Sequence, residues 1–409
     1  MTEPAIWNLP IAHTHHLSAS AGALSFVGGA GDFDPAGRIR NPGDLDRQIE
    51  GAMANLAEAL ATESCALDDV VRLKAHYTAE RNDWEVIAAL ARFFKMDPMP
   101  AISTMPEPLQ PFSGQTIQIQ AIAQRGWRKH ADVRVALRAV PPARQTLFGD
   151  RPVTGGLRAG EFIVVADRTA EDGDGAMRHP GDGAAQSHFI MEKLGEILAT
   201  LGASFQDTVK MEGYNLGTTS REQSAPLSRA RASYLRDPGP VATVVPCHRL
   251  NPKDALTKVE FMAMRELWNG FDKYIPREDH WPKRVWDWPV NGPCRQAIGL
   301  RDTIWLGGQV PMRPFVNTGL RVMDGQLMPQ ARFTMTYIAD LLRPFGRRPA
   351  DLKLMVCYFK STGSEAETVA FIKTISDCMG GALPPMTLVP KPMMHSPDNT
   401  VEIWGVAQG

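Results

Sequence analysis

Gln330-Ala331-Arg332-Phe333-Thr334-Met335-Thr336-Tyr337-Ile338-Ala339-Asp340-Leu341-Leu342, continued through Asp351 to Tyr358, carries a pattern that occurs twice more upstream. Gln48, Gln186 and Gln330 each stand 21 positions before an Asp, namely Asp69, Asp207 and Asp351. A Met follows each Gln by five (Met53, Met191, Met335), and apolar residues follow by eight (Leu56, Leu194, Ile338) and by twelve (Leu60, Leu198, Leu342). Spacings of three and four put these side chains on one helical face, so each copy holds an amphipathic helix with a buried stripe. After each Asp the period changes to two, as in Val70-Val71-Arg72-Leu73-Lys74-Ala75-His76-Tyr77, with counterparts ending at Tyr214 and Tyr358. A strand therefore follows the helix. A Met and Leu stripe at helical spacing is core, so these residues determine the fold and not the chemistry.

Working outward, the first copy occupies residues 1–126. It opens with the apolar, glycine-ended strand Gly22 to Gly29 and a turn at Asp34-Pro35-Ala36-Gly37, a hairpin signal, and closes with the alternating strand Thr116 to Ala123. The order β-β-α-β-α-β lets helices cover one face of a mixed sheet. Residues 127–152 read as a linker, whose start overlaps the basic run Arg125 to His130. That run is a solvated face in preference to a nucleic-acid patch. The second copy, 153–264, has Phe162 to Ala166 as its first strand and Val259 to Met264 as its last. Residues 265–291 form a Trp- and Pro-rich connector with Trp268, Trp281, Trp286 and Trp288, expected to pack onto the other domains. The third copy, 292–409, has Thr303 to Gly308 and Thr400 to Ala407 as its first and last strands.

The chain has 409 residues, and 44 Lys and Arg against 45 Asp and Glu leave a formal charge of −1. No global field steers it to nucleic acid or to an anionic membrane. Five cysteines without paired spacing argue against a disulfide framework or a zinc ribbon, and the Met1 to Leu9 segment has no basic region followed by an apolar run. The expectation is a cytoplasmic protein without a membrane span, acting on a small molecule and needing neither metal nor cofactor.

Gly292-Pro293-Cys294-Arg295-Gln296-Ala297 and Leu306-Gly307-Gly308-Gln309-Val310-Pro311 resemble the GPYxQA and SGQxP signatures of the RidA (YjgF) family. In the first copy Phe33 to Gly37, Leu67 to Val71 and Ile117 to Ala123 add to the resemblance. It implies an α+β fold of three chorismate-mutase-like (YjgF) domains, each a mixed sheet covered by two helices. The family normally forms homotrimers with sites in the clefts between subunits, so three copies in one chain imply a covalent pseudo-trimer, monomeric or a small homo-oligomer of such units. The implied activity is hydrolysis of imines or enamines with release of ammonia, an Arg gripping the substrate carboxylate and a Glu of the closing strand activating water.

The family Arg is missing throughout: Ile102, Ala242 and Met386 stand in its place. The family Glu is assigned to Glu260 and Glu402, with Gln118 in the first copy, and the family Tyr corresponds to His15, to about Val153 and to Cys294. Candidate catalytic residues are therefore Glu402, Glu260 and, as a nucleophile needing a lowered pKa, Cys294. Candidate substrate-binding residues are Gly307, Gly308, Arg295, His15, Gln118 and Met386, with Arg249 and Arg295 as possible replacements for the missing Arg. His13-Thr14-His15-His16 lacks a carboxylate or Cys at ligand spacing and is not expected to bind metal. The leading expectation is a hydrolase or deaminase acting on an imine, enamine or amide-like C–N bond, with the third copy working and the first structural. The alternatives are a non-catalytic small-molecule binder or scaffold that lost its chemistry with the Arg and, least suited to the charge balance, a ribonuclease.

Overall fold

The computed structural model of the chain describes residues 7–78, 80–218, 220–265, 292–314 and 320–409. The first domain runs β1 (Ser18–Ala21), β2 (Leu24–Ala30), α1 (Leu45–Thr62), β3 (Val70–Tyr77), α2 (Asp83–Ala91), β4 (Ala101–Pro106) and β5 (Ile117–Gln124). An extra strand, β6 (Val133–Leu137), precedes the second domain: β7 (Thr154–Ala159), β8 (Phe162–Arg168), α3 (Gly183–Thr200), β9 (Thr208–Leu216), α4 (Arg221–Ala232), β10 (Val241–Cys247) and β11 (Thr257–Met264). The third repeats the order with β12 (Ala297–Leu300), β13 (Thr303–Leu306), α5 (Leu327–Leu342), β14 (Leu352–Lys360), α6 (Glu365–Met379), β15 (Met386–Lys391) and β16 (Val401–Gln408). The Trp-rich connector from 266 to 291 lies outside the described residues. The segment read as a linker contributes β6, which pairs antiparallel with β7 and covers that sheet edge.

Strand orders are β1-β2-β5-β3-β4, β10-β9-β11-β8-β7-β6 and β12-β13-β16-β14-β15. The pairs β3–β4, β9–β10 and β14–β15 are parallel, each joined through a helix, and the others are antiparallel. This is the expected mixed sheet with two helices in each copy. The repeated Gln has one task in all three. Gln48 donates to Asn41 O and Gly114 O and accepts from Thr116 N–H; Gln186 does the same with His179 O, Asp254 O and Leu256 N–H; Gln330 with Val322 O, Asp398 O and Thr400 N–H. A buried amide thus satisfies the loop that launches each closing strand, which fixes where that strand begins.

One face of each sheet packs under its helices. The other faces meet in a shared core with Phe26 and Ile122 from the first domain, Phe162 and Val164 from the second, and Trp305, Val356 and Trp404 from the third. Phe26 and Phe162 flank Trp305 with ring centroids 6.4 and 6.2 Å away. Near the centre the Tyr214 and Tyr358 hydroxyls are 2.9 Å apart, and the His76 ring sits 6.4 Å from Tyr358. Three equivalent strands therefore converge on one axis.

Register corrects two sequence assignments. His76 faces Gln118, Tyr214 faces Lys258 and Tyr358 faces Glu402. His76, not Tyr77, is thus the counterpart of the two tyrosines; Tyr77, one residue on, turns to the helix side of its sheet. Likewise Gln118, Lys258 and Glu402 are equivalent, and Glu260 is the counterpart of Gln120 and Trp404. Glu260 is not the second copy's version of Glu402. The closing strand of the second copy begins at Thr257, two residues before the Val259 start read from the sequence, and a slip of two keeps the face while changing the neighbours.

Candidate active site

Each domain lays the strand after its second helix against the next domain's hairpin and closing strand. Hydrogen bonds stitch these seams: between backbones, Arg295 N–H to Pro240 O at 3.0 Å, Gly239 N–H to Pro293 O at 2.9 Å and Leu383 N–H to Thr14 O at 2.9 Å, and from a side chain, Thr154 Oγ1–H to Met99 O at 2.7 Å. Ala30, Arg168 and Gln309 face the equivalent residues Ile119, Val259 and Ile403, so the residues just before them, Gly29, Asp167 and Gly308, are also equivalent. At each seam, one of these three stands opposite Gln118, Lys258 or Glu402. The three resulting chemistries differ.

In the seam of the third and first domains, Gln118 is fully used: its Nε2 donates to Leu388 O at 2.5 Å and to Gln110 Oε1 at 3.2 Å. Its Oε1 lies so close over Gly29 that a Cβ there would come within 2.3 Å. The backbone of Met386 presses on Gly28 in the same way. This seam is closed at Gln118, and its buried charges are paired, Lys391 of the third domain lying 2.7 Å from Glu107 of the first.

In the seam of the first and second domains, Lys258 Nζ lies 3.0 Å from Asp167 and 2.5 Å from Asp83 and donates to Thr104 O at 2.8 Å. Beside it Arg72 and Lys74 face Glu212 and Glu260 in four buried pairings, and Ser103 Oγ donates to Glu260 at 2.9 Å. Burial alone would push the Glu260 carboxyl up, but Lys74 and Arg72 outweigh it and hold it at about 2. A carboxylate so strongly paired is locked as an anion and cannot exchange protons near neutrality.

The seam of the second and third domains holds Glu402 on β16, over Gly308. A Cβ at Gly308 would fall 2.0 Å from Glu402 Oε1, so glycine is required for this carboxyl to lie on the backbone. Burial raises its pKa to about 8, against the smaller downward pulls of Lys210, Arg321 and an N–H bond from Val244. Lys210, the register counterpart of Arg72, stands 4.0 Å over the Trp404 ring and donates to Thr243 Oγ1 at 2.5 Å. Burial lowers its pKa to about 7, with Glu212 and Glu402 opposing. His395 bonds Val244 O through Nε2 and is held neutral by burial, at about 4. Here is a buried carboxylic acid at neutral pH beside an amine of similar affinity for protons. Environments of this kind set up acid and base roles.

Of the residues named from sequence, Gly307, Gly308, Glu402 and Cys294 come together at this seam. Gly307 rests near Ala242 O and Arg295 O. Cys294 meets the second domain's core, and burial raises its thiol to about 11 despite Arg231, Arg295 and Lys210, so it stays protonated and is no ready nucleophile. Arg295 pairs through its side chain with Asp237, and Arg249 reaches Arg81 O at 3.4 Å, so neither takes the place of the family Arg. His15 bridges Leu383 at the opposite seam, with Gln118 and Met386. Lys210, Arg231, Arg321 and His395 were not singled out from the sequence. The available signal was a lysine in mid-strand, three positions after Asp207, in a stretch otherwise read as core.

Among the described residues no helix is long and apolar enough to cross a membrane. No family model matches the chain. Over 130 residues it is 27% identical to a RutC family protein of Pyrococcus abyssi, a match covering 30% of this chain and 99% of the relative. A RutC family protein of Pyrococcus horikoshii is 27% identical over 115 residues, 28% of this chain and 88% of the relative. Each relative is thus as long as one repeat. A solved chorismatase superposes with a TM-score of 0.52 at 13% identity, covering 83% of this chain and 93% of the other, a likeness of fold across the three domains.

Proposed function

We propose that this chain, a RidA-like tandem of three domains, hydrolyses an imine or enamine C–N bond of a small molecule in the cleft between its second and third domains. The observation that carries this is Glu402: a buried carboxylic acid lying on Gly308 with no salt bridge among the described residues, where the equivalent positions hold a bonded amide and an ion-paired lysine. In the proposed reaction Glu402 gives its proton to the imine nitrogen, which makes the carbon electrophilic. Water attacks that carbon, Glu402 as carboxylate takes a proton from it, and the C–N bond breaks to leave a carbonyl compound and ammonia. Net, one water is consumed for each ammonia released. Lys210, poised near neutrality, supports the developing charge on Glu402 when it is protonated.

The test is ammonia release from a panel of imines and enamines. Glu402→Gln keeps the shape and loses the transferable proton, so turnover should fall by roughly 10² to 10⁴-fold, the usual contribution of a general acid or base. Glu260→Gln is expected to unsettle the first seam without removing the proton donor. Unchanged turnover per folded molecule in Glu402→Gln would reject the mechanism, and ligand binding with no ammonia release from any substrate would favour the non-catalytic binder.

A further inference from the structure

Strand β10 is the edge of the second sheet, and its free side faces the third domain at the second seam. On that side the Ala242 carbonyl takes the Gly308 N–H at 2.8 Å. Two residues along, Val244 donates its N–H to Glu402, and its carbonyl accepts from Nε2 of His395, on the loop that leads into β16. The N–H and C=O of one extended residue point the same way, as in a bonded pair between antiparallel strands. Glu402 and His395 therefore stand side by side along one peptide edge. A carbonyl only accepts, so Nε2 carries the hydrogen, and the neutral ring keeps Nδ1 as an acceptor.

The matching residues of the other seams are Thr104 and Leu388, which pair with Ala75 and Cys357 as Val244 pairs with Gly213. Lys258 fills the Thr104 carbonyl, and Gln118 fills that of Leu388. In both, the equivalent of Glu402 caps the edge by itself. Glu402 takes the N–H instead, and the carbonyl falls to His395. Pro111 and Asn251 stand as far before Gln118 and Lys258 as His395 stands before Glu402. Neither fills this role: Pro111 has no side-chain donor, and Asn251 turns to Tyr77 and Asp83. Thr104 and Leu388 are fully buried, whereas Val244 and His395 are half-buried. Among the described residues, the second seam is thus the one of the three that is open at this peptide.

We propose that His395 is a second catalytic residue of this cleft, holding the attacking water through Nδ1. The proposal rests on the reading of the Glu402 cleft as a site of C–N hydrolysis. Once Glu402 has given its proton to the imine nitrogen, its carboxylate accepts one hydrogen of the water, and Nδ1 accepts a hydrogen bond from the other. Two neighbouring acceptors aim the oxygen lone pair at the carbon. The proton released on attack goes to Glu402 and His395 stays neutral, so one water is still consumed for each ammonia released. An imidazolium would have no acceptor left. Desolvation in the seam disfavours that form, the Val244 bond opposes the effect, and the charges of Arg321, Arg231 and Lys391 reinforce it.

Two measurements on the full chain test this. The first needs no substrate: nitrogen-15 NMR of histidine-labelled protein near neutral pH, with the His395 signals assigned by their loss in His395→Gln, should show a neutral ring with its hydrogen on Nε2. A hydrogen on Nδ1, or an imidazolium, would overturn the proposal. The second is ammonia release from the imine and enamine panel. His395→Phe keeps the bulk of the ring without donor or acceptor, and should lower kcat by roughly tenfold to a hundredfold with KM little changed. His395→Gln, whose amide donates and accepts at once, should recover much of that loss. Circular dichroism checks folding, and His395→Ala, with the same expectation, replaces a Phe variant that does not fold. Undiminished turnover per folded molecule in His395→Phe, or equal losses in the Phe and Gln variants, would make His395 a structural cap of Val244 and nothing more. If Glu402→Gln is inactive while His395→Phe turns over normally, the Glu402 assignment stands and this one fails. If Glu402→Gln keeps turnover, or wild type releases no ammonia, the underlying reading fails and this proposal with it.

Discussion

The seam between the first and second domains and the seam between the second and third share one backbone plan and opposite chemistry. At the first, Asp167 and Lys258 neutralise each other, and Arg72 and Lys74 are matched by Glu212 and Glu260. At the second, the same positions hold Gly308, Glu402 and Lys210, with no salt bridge between them, and burial pushes both titratable groups toward neutrality. Fusion of three copies into one chain removes the symmetry that would force all clefts alike. One seam has become a lock, and the other retains unpaired, protonatable groups at a cost in stability. That combination is expected where function is kept.

The largest expected difference lies in two equivalent cations. Arg72→Met leaves Lys74 as the one remaining cation facing the two buried carboxylates Glu212 and Glu260, and should cost about 3–5 kcal/mol in denaturant unfolding. Lys210→Met, at the matching position, removes a buried amine with no salt-bridged partner among the described residues and should cost less than about 1 kcal/mol or stabilise. Equal losses would break the contrast.

The pH dependence of stability sharpens it. Glu402 titrates at about 8 folded against 4.5 ordinarily, so the folded state holds an extra proton between those values. Its contribution is fully present below 4.5 and is lost as pH rises to about 8, at about 1.4 kcal/mol per pH unit. Glu402→Gln lacks this slope and should be more stable than wild type above pH 8 by a few kcal/mol. Lys210 runs the other way: depressed from 10.5 to about 7, its contribution is present above 10.5 and lost as pH falls to 7. Urea midpoints of the two variants across pH 4 to 10.5, windows taken from these shifts, should separate the two; parallel wild-type and Glu402→Gln curves would contradict the account.

Gly308→Ala places a methyl group on the Glu402 carboxyl and should cost about 1–3 kcal/mol as the side chain is displaced. Gly43→Ala, where the space is open, should show only the strain of its positive φ. Gln118→Ala should be the mildest, about 1 kcal/mol for its lost hydrogen bonds, with ammonia release unchanged.

The helix stripe and the Gln to Asp spacing made the triplication legible because burial and the Gln clamp act within one repeat. The catalytic candidate Glu402 was legible too, through the closing strand. Glu260 is not its equivalent, because Thr257 and Lys258 break the apolar alternation and the sequence pattern places the strand's start two residues late. Tyr77 was mismatched because the tyrosine was aligned by identity when the face of the strand decides its role. Lys210 gave only the signal of a lysine in mid-strand: what makes it unusual is burial at a seam formed by residues far apart in the chain, with no salt bridge to it among the described residues.

The protonation of Glu402 tests the central claim most directly. Carboxyl carbon NMR of protein labelled at its glutamate side chains, titrated through neutrality and compared with Glu402→Gln, should show one buried carboxyl still protonated at pH 7 and titrating near pH 8, and that signal should vanish in the variant. Spectra in which every glutamate is already ionised by pH 6, well below that value, would contradict it.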